Sequence, residues 1–282
     1  MKQYLDTLKF IVSNGETRAD RTGTGTIGIF GTQQRYDLRD GFPAVTTKKL
    51  AWKAVVSELL WFIEGSTDER RLAEILHGTR DADKKTIWSP NAGADYWKPK
   101  AGFVGDVGHI YGYQWRNWGP RLGPTIDQLQ RLIDGIISDP YGRRHIITSW
   151  QPGELDAMAL PPCHILAQFY VSRNNELSCQ MYQRSNDFFL GCPFNIASYS
   201  LLTHMIAQVC RLSVGEFVHT TGDAHIYSNH VEQVKEQLSR TPFPAPKLVL
   251  DPRITNIDSF TMEDIILDEY SHHPSIKAEM AV

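Results

Sequence analysis

The stretch NIASYSLLTHMIAQVCRL, residues 195–212, is apolar on almost every side of the helix that its spacing predicts. A helix of that kind needs neighbours all round, and 282 residues supply enough chain to build them. Residues 1–14 read as an amphipathic helix that stops at Asn14-Gly15. WKAVVSELLWFIEG (52–65) reads as another, apolar at Trp52, Val55, Val56, Leu59, Leu60, Phe62 and Ile63 and closed by Gly65. PTIDQLQRLIDGIISDP (124–140) is a further amphipathic helix. Ile27, Ile29 and Tyr36 suggest two strands in the Thr- and Gly-rich stretch after Gly15, and ELSCQMYQRS (176–185) alternates as a strand does. Helices and strands interleave irregularly, so the expected class is α+β. The expected architecture is a single domain over residues 1–282, built on a large mixed or antiparallel sheet with one buried central helix. Residues 80–108 keep no period and are rich in Gly, Pro and Asp, which predicts a surface insertion.

Charge narrows the partners. With 29 basic against 32 acidic residues the net charge is −3, which leaves no surplus of Lys and Arg to neutralise a run of phosphates. Nucleic acid is therefore not an expected partner, whereas a small anionic substrate needs only a local group of arginines. Cys163, Cys179, Cys192 and Cys210 stand too far apart for a CxxC redox or zinc signature. No HExxH segment or other usable ligand spacing is present, so no metal is expected. The opening MKQYLDTLKFIVSNG mixes charges through its apolar positions, and no apolar run approaches the length of a membrane span. The expectation is a cytoplasmic protein with reduced thiols.

Polar residues cluster where apolar ones would be expected to continue. Gln183, Arg184, Ser185, Asn186 and Asp187 sit between the strand pattern of 176–185 and the apolar FFLGCPFN that leads into the buried helix. Such a cluster is costly unless something compensates it. Two readings stay open. One is a solvated loop with an Arg184–Asp187 ion pair; the other is a pocket wall, with Arg184 and Ser185 for an anion and Asn195 for a planar amide edge. Arg143 and Arg144, after the turn SDPYG, suit a phosphate through their planar donor forks, or else point apart on the surface. Arg21 lies in DRTGTGT, a Gly-Thr run without the GxxxxGK[ST] spacing of a phosphate loop. His225 and Tyr227 fall on one side of the alternating GDAHIYSNH. Cys163 follows Pro161-Pro162 at the mouth of a partly alternating run. Most buried thiols are inert, and reactivity requires a nearby positive charge or hydrogen-bond donors.

Taken in order, DRTGTGT, GFPAVTTKK, SELLWFIEGSTD, TIW, YGYQWR, RRHIITSWQPGELDAMALPPCH, CQMYQRSNDFFLGCPFNIASYSLLTHMIAQ and GDAHIYSNH resemble the thymidylate synthase family over nearly the whole chain. The resemblance implies a homodimer whose large sheet forms the subunit interface. It implies dUMP (deoxyuridylate) as substrate and 5,10-methylenetetrahydrofolate as cosubstrate, giving both carbon and hydride. Cys163 would be the nucleophile that adds to C6 of uracil, because C5 becomes nucleophilic only after that addition. Glu58, Tyr111, His164, Gln183 and Asn195 would complete the catalytic group, with Glu58 and Tyr111 removing the C5 proton. Arg184 and Ser185 would hold the phosphate, Arg21 would close over it, and Arg143 and Arg144 would reach it across the dimer. Asn195 would donate to O4 and accept from N3–H, a pattern that cytosine reverses. His225 and Tyr227 would hold the sugar 3′-hydroxyl, and Asp187 would serve both ligands. Trp88, Asn91, Leu160, Asp187, Gly191 and Phe194 would form the folate wall. The terminal EMAV, including Ala281, would fold over the ligands.

The sequence departs from the family pattern at several positions. Ser89, followed by Pro90, stands where Asp usually follows the TIW tryptophan; His109 replaces the proline of GPVYG; Asn186 belongs to RSND, which pyrimidine hydroxymethylases of the family also carry. These positions are expected near the folate side. They keep open a dUMP hydroxymethylase, in which water rather than a folate hydride quenches the exocyclic methylene. Trp88 and the C-terminal Ala281-Val282 favour hydride transfer. The remaining alternative is a catalytically silent nucleotide- or RNA-binding homologue, against which stand the near-neutral charge and the filled catalytic positions.

Overall fold

The computed structural model of the chain describes residues 1–20, 23–119 and 123–279. The elements run α1 (Lys2–Asn14), β1 (Glu16–Arg18), β2 (Thr26–Asp37), α2 (Trp52–Glu64), α3 (Glu69–His77), α4 (Ser89–Ala92), α5 (Tyr111–Arg116) and α6 (Gln128–Ser138). They continue with β3 (Ile146–Thr148), β4 (His164–Val171), β5 (Glu176–Asp187), α7 (Gly191–Val209), β6 (Ser213–Tyr227), α8 (Val231–Ser239), β7 (Lys247–Leu250) and β8 (Ile265–Asp268). The fold is α+β on a six-stranded sheet of order β1-β2-β6-β5-β4-β3. β5 and β6 pair in parallel and every other neighbouring pair is antiparallel, so the sheet is mixed. A parallel pair needs a long crossover. Here the crossover is α7, which explains why that segment is apolar all round.

Helix α7 lies along the sheet with α2 packed over it, and Leu201, Leu202, Met205 and Ile206 are fully buried. Each such side chain contributes roughly 1.5–3 kcal/mol of burial. The opposite face of the sheet is exposed: Gln33, Arg35, Gln168, Tyr170 and Gln180 alternate outward, and Tyr170 is 65% exposed. Among the described residues no helix is long and apolar enough to cross a membrane.

Several expectations shift in detail. Ile27, Ile29 and Tyr36 all belong to the single strand β2, and the strand before it is only the exposed Glu16–Arg18. The helix expected from 124 starts at Gln128, because the Asp127 side chain accepts from the Gln130 N–H at 2.9 Å and caps it there. α7 begins at Gly191 rather than Asn195. The stretch 80–108 is largely exposed but anchored: Trp88, Trp97 and Val107 are buried, and the Trp97 indole donates to the Asp106 carbonyl at 2.7 Å.

The approach of α5 to α2 is what brings Tyr111 beside the core of α2. It requires Gly112, where a Cβ would meet the Phe62 carbonyl oxygen at 2.6 Å and the Phe62 Cα at 2.7 Å. Gly112→Ala is expected to cost about 1–3 kcal/mol in a denaturant titration, as overpacking against backbone does. Gly153→Ala, at a position with open space, should stay within about 0.5 kcal/mol.

Candidate active site

Cys163 sits where β4 can begin no earlier. Pro161 and Pro162 have no N–H to offer a ladder, and the β4–β5 register shifts between His164 and Leu166, which bends the strand at its mouth. Arg184 of β5 takes over the vacant pairing. Its backbone N–H donates to the Cys163 carbonyl at 2.8 Å, its Nε donates to Pro162 O at 2.8 Å and its Nη2 donates to Pro161 O at 3.0 Å. The same Nη2 lies 4.0 Å from Cys163 Sγ, and the guanidinium stands 5.4 Å from the centre of the Trp150 ring. On the other side the Cys163 N–H donates to Tyr111 Oη at 2.8 Å. The thiol is thus half-buried between a cation and a phenol. Burial pushes its pKa up, and Arg184 and Tyr111 recover only part of that shift, so the resting group is the thiol.

The expected proton-transfer residues gather around it. Tyr111 stacks on His164 with ring centres 3.9 Å apart and planes 14° apart. Burial raises the Tyr111 hydroxyl well above the ordinary phenol range and lowers His164 to about 3, so both rings stay uncharged. His164 Nδ1 meets Tyr199 Oη at 2.8 Å. Glu58 of α2 is connected through Trp88: the indole N–H donates to Glu58 Oε1 at 2.7 Å, and the Trp88 and Tyr111 rings meet edge to face at 6.0 Å. Burial pushes the Glu58 carboxyl up to about 7, against the indole bond that lowers it. A carboxyl at that value exists in both protonation states near neutral pH, as a proton-transfer group requires.

A second line of contacts reaches Asn195. Gln183 Nε2 donates to Asn195 Oδ1 and to the Ser185 carbonyl, both at 3.0 Å, and Gln183 Oε1 lies 2.9 Å from His219 Nε2. This orients the Asn195 amide, with Oδ1 taken by Gln183 and Nδ2 left to donate outward. Ser185 pairs with Asp223 and Asp187 with His225 across the β5–β6 ladder. His225 Nδ1 meets Asp223 Oδ1 at 2.9 Å, and the Tyr227 ring stands edge-on to His225 at 5.4 Å.

The two readings of 183–187 are now separated. These residues form the end of β5, not a solvated loop. There is no Arg184–Asp187 ion pair: Arg184 holds the proline carbonyls, while Asp187 Oδ1 accepts from the N–H groups of Phe189 and Leu190 at 3.0 Å each and shapes the turn into α7. Gly191, Phe194 and Asn195 follow in the first turns of α7. Asn91 lies in α4 just after Trp88, and Leu160 immediately precedes Pro161.

Other positions fall elsewhere. Asn186, expected near the folate side, is 1% exposed and turned into the core, with its Nδ2 3.5 Å from Thr221 Oγ1. His109 Nδ1 meets Glu154 Oε2 at 3.1 Å, and the His109 backbone N–H donates to Ala157 O at 2.9 Å. It thereby ties down the segment that leads to Cys163. Arg143 and Arg144 are exposed beside β3, next to His145, whose carbonyl accepts from Phe169 N–H. That is the far end of β4, about 20 Å from Cys163 by strand rise. Arg21 and Ala281 lie outside the described residues. Three contacts were not anticipated: Tyr199 on His164, His219 on Gln183 and Trp150 on Arg184. Tyr199 lies four residues after Asn195 on one helix, and His219 shares strand parity with His225, so both carried a periodic signal. Trp150 carried none.

Residues 2–282 match the family model described as Thymidylate synthase. The chain belongs to the thymidylate synthase family. A relative named thymidylate synthase, from Listeria monocytogenes serotype 4b (strain CLIP80459), is 48% identical over 319 residues, covering 100% of both chains. The chain is accordingly an enzyme with the methyltransferase activity of thymidylate synthase, and a hydroxymethyl outcome is not favoured.

The elevated Glu58 carboxyl has a consequence for stability. Its folded pKa lies above the usual 4.5, so the stability of the protonated form is fully present below about 4.5 and is lost as pH rises through about 7. Glu58→Gln, which keeps an acceptor for the indole, should therefore unfold about 1–3 kcal/mol less readily than the parent at pH 8. The gain should vanish below the ordinary carboxylate range. Denaturant midpoints at the two pH values check this.

Proposed function

We propose that the enzyme methylates dUMP to dTMP with 5,10-methylenetetrahydrofolate as carbon and hydride donor, through a covalent bond from Cys163 Sγ to C6 of uracil. The observation that carries this reading is the seating of Cys163 between the Arg184 guanidinium and the Tyr111 hydroxyl, at the open end of β4. Arg184 is the cation that stabilises the thiolate when the proton leaves. Addition at C6 places the electron pair at C5, and C5 forms the bond to the one-carbon unit. Loss of the C5 proton, with cleavage of the bond from the one-carbon unit to the folate nitrogen and release of tetrahydrofolate, then gives the exocyclic methylene. Hydride from that tetrahydrofolate adds to the methylene to complete the methyl group, leaving dihydrofolate, and the Cys163 thiolate is expelled from C6. Glu58, tuned near neutrality, and Tyr111, in contact with the Cys163 backbone, would take the C5 proton. Glu58 Oε2 has no protein partner among the described residues and is the oxygen left to take or relay it.

Specificity for uracil rests on Asn195. With Oδ1 held by Gln183, its Nδ2 donates to O4 and a remaining lone pair of Oδ1 accepts from N3–H. Ser185 and Arg184 would take the phosphate, and His225 with Tyr227 the sugar hydroxyl. Trp88, Asn91, Leu160, Gly191 and Phe194, with Asp187, would form the folate wall; the buried indole and the half-buried Leu160 and Phe194 suit a flat apolar ring system. Arg143 and Arg144 are exposed at the β3 edge of an uncovered sheet face, which supports their donation to the site of a second copy packed on that face. His230 Nε2 binds the Glu279 carbonyl at 2.6 Å and anchors the tail just ahead of the final residues.

Incubation with dUMP and 5,10-methylenetetrahydrofolate should yield methylated nucleotide and dihydrofolate by mass analysis; hydroxymethyl nucleotide with tetrahydrofolate would overturn the reading. Cys163→Ser should lower turnover at least about a thousandfold and leave dUMP binding largely intact. Asn195→Asp should erode the preference for dUMP over dCMP by roughly tenfold or more. An unchanged preference would remove Asn195 from the role of edge reader.

A further inference from the structure

Position 89 lacks the acid of the family pattern, yet a carboxylate occupies the same neighbourhood. It comes from α3. Glu69 is 2% exposed, and its Oε1 accepts from Ser89 Oγ and from Thr86 Oγ1, each at 2.6 Å. A buried carboxylate is costly unless paired and hydrogen-bonded, and Arg70 supplies the pair. Its Nε donates to Oε2 at 2.7 Å and its Nη2 donates to Oε1 at 2.6 Å. Arg70 also donates to the carbonyls of Asp81 at 2.6 Å and Lys84 at 3.0 Å, so the pair fastens the approach to Trp88 as well. Burial raises the Glu69 carboxyl, but the bonds from Arg70, Ser89 and Thr86 more than offset this and leave it below the ordinary range.

From Glu69 the contacts run in one line to the site. The Thr86 hydroxyl donates to Glu69 and accepts from the Trp88 backbone N–H at 3.2 Å, while the Thr86 N–H donates to Ser89 Oγ at 2.8 Å. The backbone of Trp88 is thus held through Thr86, and its indole N–H reaches Glu58 Oε1. Each hydroxyl has one proton to give, and both protons go to Glu69. We propose that Glu69 is a positioning residue for the Trp88–Glu58 contact, its carboxylate on α3 standing in for the acid that the family pattern has at position 89. This rests on the reading of Glu58 as a proton-transfer group. It also makes Glu69 and Ser89 a matched pair: an acid at 89 with Glu69 still present would set two carboxylates where two hydroxyl donors now serve one.

The pH profile of kcat tests this. The indole bond favours the ionised form of Glu58, so loosening it moves the acid limb to higher pH. Glu69→Gln is expected to shift that limb upward by roughly 0.5–1 pH unit and to lower kcat severalfold near neutrality, with dUMP binding unchanged. Adding Ser89→Asp to Glu69→Gln returns a carboxylate to the cluster and should bring the limb back, whereas Ser89→Asp alone should not improve on the parent. Should Glu69→Gln fail to fold, Thr86→Val breaks the same line one link later at a half-buried position and should give the same shift. Trp88→Phe is the reference, since it removes the indole donor itself. If Trp88→Phe moves the acid limb and Glu69→Gln and Thr86→Val do not, or if kcat falls with no shift in the limb, Glu69 is only a structural staple and the proposal is overturned. Failure of the double variant to recover the limb overturns the exchange of acids between 69 and 89. If Trp88→Phe itself leaves the limb in place, the assignment of Glu58 falls instead.

Discussion

Helix α7 leaves little for water to touch: 13 of its 19 residues are buried, and it carries the chain between the two parallel strands β5 and β6. The site depends on that burial. Because α7 is wedged between the sheet and α2, its first turn is fixed relative to the ends of β5 and β6, and Asn195 meets Gln183 while Tyr199, one turn on, meets His164. A helix free to slide or rotate on a surface would not hold an amide edge to hydrogen-bond tolerance. The rigid crossover converts a hydrophobic requirement into a fixed polar wall.

The thiol is governed by the opposite circumstance, a local failure of regular structure. Two prolines deny the ladder its donors, and the strand mouth is bent by a shift of register. Arg184 fills the gap with one backbone and two guanidinium bonds, and its charge thereby comes to rest beside Cys163. One side chain closes the backbone and supplies the electrostatics. In the protein alone burial still outweighs that charge, so the thiol is held in its unreactive form. Glu58 is in the same position: burial lifts it to about 7, and the Trp88 indole restrains the rise. Both groups are tuned by exclusion of water against opposing contacts, Arg184 and Tyr111 for Cys163 and Trp88 for Glu58, which couples their protonation to how tightly the surrounding shell is packed.

That shell includes residues that the chemistry itself does not use. His219 orients Gln183, Trp150 lies beside Arg184, and His109 with Glu154 ties down the segment before the prolines. The Glu69–Arg70 pair belongs to the same class, lying under Trp88 on α3. None of these hydrogen-bonds to Cys163, yet His219 and Trp150 contact Gln183 and Arg184, which themselves contact Asn195 and Cys163.

Periodicity made α1, α2 and the central part of α7 legible in the sequence, because apolar spacing along a helix depends only on local geometry. Boundaries were less legible, as at Gln128, where a single Asp127 side chain sets the start. The ordered motifs carried the family. They did not carry what Arg184 does with its donors, nor that Asp187 turns to backbone amides instead of to Arg184. Two residues three apart in sequence offer an ion pair on paper, but strand geometry and the unsatisfied proline carbonyls decide otherwise. The sequence by itself determined a buried helix, the strands beside it and a set of reactive residue types. Only the tertiary structure decided which donor meets which acceptor, because many of those contacts join residues tens of positions apart and all depend on register and burial.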